Sequence, residues 1–275
     1  MGIRDILLHM EGAERDAARF AVAAELATRF DAHLVGLHVV NPYVPVAIGG
    51  PGAAGMAELQ RHYMDSMRDR AGETEKAFAE MTGGAGVPSE WRFAEGDIAD
   101  TVAQHARYAD IAIIGQSGDD SGASLPAELS AEVALAAGVP VLTVPYVGTF
   151  ETVGRRVLVA WNGSREAVRA VHDAMPLLTT AETVIVLSVE PWRKDALAGA
   201  DIGAHLARHG VNVEAKRTAG DDIGVSDMLL NAVSDLGADM IVMGAYGHSR
   251  FRELVLGGVT HQLLGSMTVP VLLSH

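Results

Sequence analysis

The chain contains no cysteine, which removes disulfides, thiolate metal sites and cysteine nucleophiles at once. Aromatic residues make up only 5%, while Ala, Val, Leu and Gly are abundant. That composition suits helices packed on parallel sheets rather than a β-sandwich. No window offers about 18 uninterrupted apolar residues. The nearest, VALAAGVPVLTVPYV (133–147), is broken by a glycine and two prolines, so no membrane partner is expected. The phosphate-binding patterns G-x-x-x-x-G-K-[ST] and G-x-G-x-x-G are both absent. Positive charge is scarce: 21 Lys and Arg against 35 Asp and Glu leave a formal charge of −14. A nucleic-acid partner would need a basic face to displace counterions, so this class is excluded. The deficit is uneven. Residues 1–150 carry 10 basic and 21 acidic side chains, a balance of −11, whereas 151–275 carry 11 and 14, a balance of −3. A polyanion would meet less repulsion in the second part. The opening MGIRDILLHMEG enters a strand pattern with an acid at Asp5, unlike a signal peptide, and Ile6 stands where N-myristoylation would need Ser or Thr. The expectation is a soluble cytoplasmic protein.

What the chain does have is a repeat of itself. RDILLHMEGAERDAARFAVAAELA, from Arg4, runs strand, turn, helix, and RRVLVAWNGSREAVRAVHDAMPLL, from Arg155, does the same, with Gly12 matching Gly163. A second buried strand follows in each, AHLVGLHVV (32–40) and ETVIVLSVE (182–190). AEGDIADTVAQHARYADIAIIG (94–115) then matches TAGDDIGVSDMLLNAVSDLGADMIVMG (218–244), each a turn, an amphipathic helix, an Ala-Asp pair and an apolar strand ending in glycine. Finally AGVPVLTVPY (137–146) matches MTVPVLLSH (267–275). Each half reads β-α-β-α-β-α-β-α-β with near-continuous Val/Ile/Leu strands, the pattern of a parallel sheet covered on both faces. The fold class is therefore α/β: two tandem doubly wound five-stranded parallel-sheet domains, 1–150 and 151–275. The first carries some twenty extra residues, placed in a Pro/Gly-rich stretch and a polar helix near 43–85. The apolar last strands would form the edge of each sheet. Exposed apolar edges invite pairing.

Sheets of this kind bind ligands beyond the carboxyl ends of their strands, where strand order reverses. In the second half those ends are Trp161-Asn162-Gly163 and Met243-Gly244. The segment MGAYGHSRFRELVLGGV (243–259) places Gly244 and Gly247 at a strand exit and Gly257 and Gly258 at a helix start. A tight turn followed by a helix break would explain the glycines alone. Backbone amides at a helix start with no Cβ in the way would instead make an anion site, for which a nucleoside triphosphate is the obvious cargo.

The spacing G-x2-G-x9-G at Gly244, Gly247 and Gly257 resembles the ATP-binding signature of the universal stress protein family. RVLVAWNGS resembles that family's first strand and turn, GADMIVMGAYG its fourth strand and VPVLLSH its last. The two repeats together look like a tandem member, and the resemblance covers nearly the whole chain. It implies a Rossmann-like fold related to the adenine nucleotide α-hydrolases, and ATP, with or without Mg²⁺, as ligand of the second domain. It also implies halves associated as an intramolecular pseudo-dimer with pseudo-twofold symmetry through the last strands, with pairing of two chains left open. Carried onto matching positions, Gly244, Gly247, Gly257 and Gly258 line the phosphates. Val259 and Thr260 follow on the same helix, with the Thr260 hydroxyl toward a phosphate. Ala160, Trp161, Asn162 and Val189 flank adenine and ribose, and Met243 packs near them. Tyr246 and His248 lie inside the loop and touch ligand.

Two departures stand out. Asn162 replaces the usual Asp, and Gly258 replaces the signature's closing Ser/Thr, removing a donor worth about 1–3 kcal/mol to a charged acceptor. The first half departs further: Gly115 and Gly118 keep one spacing, but Glu128 stands nine residues on, and Asp119, Asp120 and Glu11 bring negative charge. That half reads as structural or regulatory. His205 and His209 share a helix face without a third ligand, so no metal site is assigned. Arg250 and Arg252 follow the loop as phosphate contacts or as a solvated helix face, the second favoured, and Ser164, Asp97 and Asp221-Asp222 read as helix caps. No nucleophile-base-orienter set is evident, so no catalytic residue is named. The resulting expectation is a stress-response sensor or regulator that binds ATP, with two alternatives: a nucleotide-free scaffold acting through protein contacts, and a slow ATP-hydrolysing enzyme.

Overall fold

The computed structural model describes residues 2–12, 16–42, 53–116, 129–150, 152–190, 199–219, 224–245 and 258–275. In chain order the elements of the first half are β1 (Asp5–His9), α1 (Asp16–Phe30), β2 (His33–Val40), α2 (Ala53–Ala85), β3 (Ser89–Glu95), α3 (Ile98–Ala106), β4 (Ile111–Gly115), α4 (Leu129–Ala137) and β5 (Val141–Val144). Those of the second are β6 (Arg156–Ala160), α5 (Arg165–Asp173), the single turn α6 (Met175–Leu178), β7 (Thr183–Glu190), α7 (Gly199–Arg208), β8 (Val213–Ala219), α8 (Val225–Leu236), β9 (Met240–Gly244), α9 (Val259–Ser266) and β10 (Val271–Ser274).

All ten strands join one sheet in the order β3-β2-β1-β4-β5-β10-β9-β6-β7-β8. Every pairing is parallel except that of β10 with β5, which is antiparallel with Leu272 opposite Leu142. Each half is thus a five-stranded parallel sheet whose last strand is its edge, and the two edges close on each other. The order reads the same from either end, the pseudo-twofold arrangement expected. Burial follows position. IAIIG of β4 and VLTV of β5 are buried throughout because both faces and both edges are covered. The outermost strands β3 and β8 read SEWRFAE and VEAKRTA. They carry charge pairs Glu90–Arg92 and Glu214–Lys216 along the open edges, which discourages further strand pairing.

Two apolar layers flank the sheet. One gathers α1, α5, α7 and the docked end of α2, and the other gathers α3, α4, α8 and α9. Helix α2 is anchored through its C-terminal part. Phe78 is 2% exposed and packs over Gly36, where a Cβ would stand 2.8 Å from both the Phe78 and Trp91 rings. At the amino ends of the strands, the aspartates of the two Ala-Asp pairs hold the halves' first strands in place. Asp110 accepts from the amides of Arg4 (2.6 Å) and Asp5 (3.0 Å), and Asp239 from those of Gly154, Arg155 and Arg156 (3.0–3.2 Å). This leaves the carboxyl ends for ligands. Among the described residues no helix is long and apolar enough to cross a membrane.

Candidate functional site

The strand order reverses between β1 and β4 in the first half and between β6 and β9 in the second, so each half has one position where sheets of this kind open a crevice. Register makes the comparison residue by residue. Leu8 lies opposite Ile113 and Val159 opposite Val242, and the amides of Met10 and Trp161 reach the carbonyls of Leu37 and Leu187, both at 2.9 Å. Gly115 therefore corresponds to Gly244, Glu11 to Asn162, Asp16 to Ala167 and Arg19 to Ala170. Gly12 and Gly163 turn the chain out of the sheet with φ of 75° and 70°, a conformation that favours glycine.

The first crevice is filled from within. The Asp16 carboxylate accepts from the exit-turn amides of Glu11 (3.2 Å) and Gly12 (2.7 Å). Arg19, 3% exposed, donates to Asp16 at 2.5 Å, to the Glu11 carboxylate and to the His9 carbonyl at 3.3 Å. Its guanidinium covers Gly115, where a Cβ would meet Nη1 at 2.8 Å. Behind it, burial and then the Arg19 charge push the His9 imidazole down to about 3. His38, also lowered chiefly by burial, holds the Met10 carbonyl through Nδ1 at 2.9 Å. Helix α2 closes the outside, with Thr74 Oγ1 2.6 Å from the position of a Cβ on Gly12. An internal carboxylate thus occupies the exit-turn amides of the first half, whose counterparts in the second are those of Asn162 and Gly163.

The second crevice lacks that apparatus. Small Ala160, Ala167 and Ala170 stand where the first half has His9, Asp16 and Arg19, and Ser188 stands for His38. Among the described residues no side chain accepts from the Asn162 and Gly163 amides. The Asn162 Oδ1 accepts from Ser164 N at 3.0 Å, and Ser164 Oγ caps α5 by accepting from Ala167 N at 3.2 Å. Trp161 Nε1 and Ser188 Oγ are buried without hydrogen-bond partners. His9 Nδ1 and Arg19 Nε of the first crevice are likewise buried without partners.

The predicted residues divide. Ala160, Met243 and Val259 share the layer of α8 and α9, with Met243 at 6% exposure. Trp161, at 8%, packs in the opposite layer among α1, α5 and α7 residues. Val189 lies on β7 opposite Thr218. Gly258 is the N-cap of α9 with φ −54° and ψ 160° and makes no side-chain cap, while Thr260 is 2% exposed. Tyr246, Gly247, His248 and Gly257 lie outside the described residues, as do Arg250, Arg252, Gly118, Asp119, Asp120, Glu128 and Asp221-Asp222. Gly244 has a packing role of its own. A Cβ there would stand 2.5 Å from Ala167 N and 2.7 Å from Glu166 Cβ, so α5 sits directly on the strand where the first half interposes Arg19. Ser164 and Asp97 cap α5 and α3 as expected.

Sequence reasoning missed Asp16, Arg19, His9 and His38, although aligning the two strand-turn-helix segments puts a charged i, i+3 pair on two alanines. It also missed Glu166, 7% exposed and paired with Arg165 at the start of α5. The His205–His209 pair gains a neighbour. The rings lie 4.7 Å apart and His172 of α5 is 5.8 Å from His205, which desolvation and then His209 and His172 hold below its ordinary range. Even so, among the described residues no group of three or more His, Asp or Glu is disposed to hold a metal ion.

The sequence model described as Universal stress protein family matches residues 2–145 and 154–275. A curated universal stress protein of a Synechocystis species is 28% identical over 127 residues, covering 45% of this chain and 43% of that protein, so the match spans under half of either. Among solved structures, a universal stress protein from Archaeoglobus fulgidus DSM 4304 is 20% identical, with a TM-score of 0.77 over 98% of this chain and 95% of that one. A functionally unknown protein from Pseudomonas aeruginosa PAO1 is 15% identical, with a TM-score of 0.56 over 99% and 92%. These likenesses establish the fold.

Proposed function

The chain belongs to the universal stress protein family, which its sequence matches twice over, and from that premise we propose that it is a cytoplasmic regulator that binds ATP in its second domain only. The two domains are taken as 1–150 and 151–275. The observation that carries this reading is the contrast between the crevices. One supplies its own carboxylate and guanidinium, and the other has alanines at those positions. The residues present suit a nucleotide. Asn162 offers polar atoms to base and ribose, Met243 and Ala160, on the face that α9 covers, offer an apolar surface, and the uncapped start of α9 at Gly258–Thr260 offers backbone amides to phosphate. Gly247, Gly257, Tyr246 and His248 complete the site by family resemblance. ATP, with Mg²⁺ shielding its charge, would supply the signal, and the closed first domain the surface that reads it. Among the described residues no set of side chains suits fast hydrolysis, and the role proposed is that of a sensor. A nucleotide-free scaffold acting through protein contacts is the second reading.

The test is an ATP titration by calorimetry, with and without Mg²⁺, on the wild type and on Gly258→Asp. An aspartate suits the dihedrals and the N-cap, so the variant should melt no lower than the wild type. Its carboxylate would take the amides, as Asp16 does in the first half, and weaken ATP at least tenfold. Absence of saturable heat in the wild type would leave the scaffold. Unchanged affinity in Gly258→Asp would remove α9 from the site.

A further inference from the structure

We propose that Gln116, a residue of the first half, is a positioning residue for the ATP site of the second. It caps the C-terminal end of α9, the helix whose other end is assigned to the phosphates, and in that respect the inference rests on the ATP reading. Gln116 follows β4 directly, and its backbone amide donates to Val144 O at 2.8 Å, as Ala245 N donates to Ser274 O at 2.8 Å in the second half. The two positions are counterparts, but their side chains are not. Gln116 is 8% exposed, and its Nε2 donates to the carbonyl of Leu264 at 2.6 Å across the junction of the halves, while Oε1 accepts from Tyr146 N at 3.1 Å. Leu264 lies in the last turn of α9, where carbonyls have no partner within the helix. Gln116 therefore satisfies one of the orphan acceptors that α9 cannot satisfy itself.

The dependence runs one way. Ala245 has no side chain to return the bond, and α4, the counterpart of α9, has its end held differently: Arg107 donates to Ala136 O at 3.4 Å and Arg169 of the second half to Gly138 O at 3.1 Å. An eight-residue helix is marginal by itself, and it spans only about 12 Å, so a clamp at one end limits motion at the other. The antiparallel β5–β10 pairing is what brings the β4 exit within reach of α9. A first domain that binds no nucleotide thus still helps to build the site of the second.

The experiment compares Gln116→Met, which removes both side-chain bonds, with Gln116→Glu, which keeps an acceptor for Tyr146 N but has no donor for Leu264 O. Amide exchange over 259–266 is measured without nucleotide, and ATP affinity by calorimetry. One net hydrogen bond corresponds to a factor of roughly 2–12, so both variants should exchange faster by that factor and bind ATP weaker by a similar one. Arg169→Ala, which cuts the Gly138 contact and leaves α9 untouched, should match the wild type in both. Unchanged protection of α9 in both Gln116 variants overturns the capping role even if ATP binds. Faster exchange with unchanged ATP affinity overturns the link to the site. If the wild type binds no ATP, the ATP reading falls and the role in the site falls with it, while faster exchange would still establish the cap.

Discussion

Replacing Gly244 with alanine tests what the glycine at the exit of β9 is for. The added Cβ would stand 2.5 Å from Ala167 N and 2.7 Å from Glu166 Cβ, and closer still to the Glu166 carbonyl carbon. Ordinary contact needs about 3.5 Å, so the first turn of α5 must retreat by about 1 Å. It is not free to do so. Ser164 caps that turn, and Ala167, Ala170 and Val171 are buried on the sheet, each at 3% exposure or less. Overpacking a core in this way costs about 1–3 kcal/mol. For a chain of this size each kcal/mol lowers the melting point by about 2–4 °C, so Gly244→Ala should melt roughly 2–12 °C below the wild type. The assay is differential scanning calorimetry, with Gly265→Ala as an internal control. Gly265 lies in the last turn of α9 with nothing within 4 Å of an added Cβ, and there alanine should be neutral or stabilise by up to about 1 kcal/mol. If Gly244→Ala melts with the wild type, the steric argument is wrong, and the glycine must be explained by ligand access alone.

Two further outcomes follow from the closed crevice. The unfolded chain protonates His9 near 6.5 while the folded protein resists until about 3. Stability therefore falls as pH drops through that window, and His9→Leu should reduce the slope there by about 1.4 kcal/mol per pH unit, read from urea unfolding between pH 6 and 4. An unaltered slope would mean that the imidazole titrates normally in the fold. Arg19→Met leaves the Glu11 and Asp16 carboxylates buried without their cation and should cost about 3–5 kcal/mol, part of it recovered by adding Asp16→Asn. A cost below about 1 kcal/mol would show that the pairs are solvated.

Much of this architecture can be read along the chain. Continuous apolar runs such as IAIIG and VLTV mark strands covered on both faces, and the charged alternation of VEAKRTA marks an open edge. Asp97 and Ser164 cap their helices where a short polar side chain precedes a helical pattern. The candidate site was less legible. Asn162 and Gly258 could be named from the turn and the glycine spacing, but Gly244 looked like a phosphate contact when it also admits a helix backbone. Trp161 and Met243, placed together by their neighbouring strands, fall on opposite faces because Ala160 is the residue level with Met243 and successive strand residues alternate.

The amino-acid order alone was enough for two repeats of strand and helix, since periodicity and turn chemistry act over a few residues at a time. How the first crevice is closed was decided only by folding: Arg19 must cross to Gly115 and α2 must pack on Gly12, contacts between segments far apart in the chain. The bond from Gln116 to Leu264 joins residues 148 positions apart. Side chains that meet over such separations leave no local periodic mark, because their partners are chosen by the antiparallel closure of β5 on β10 and not by neighbours in sequence.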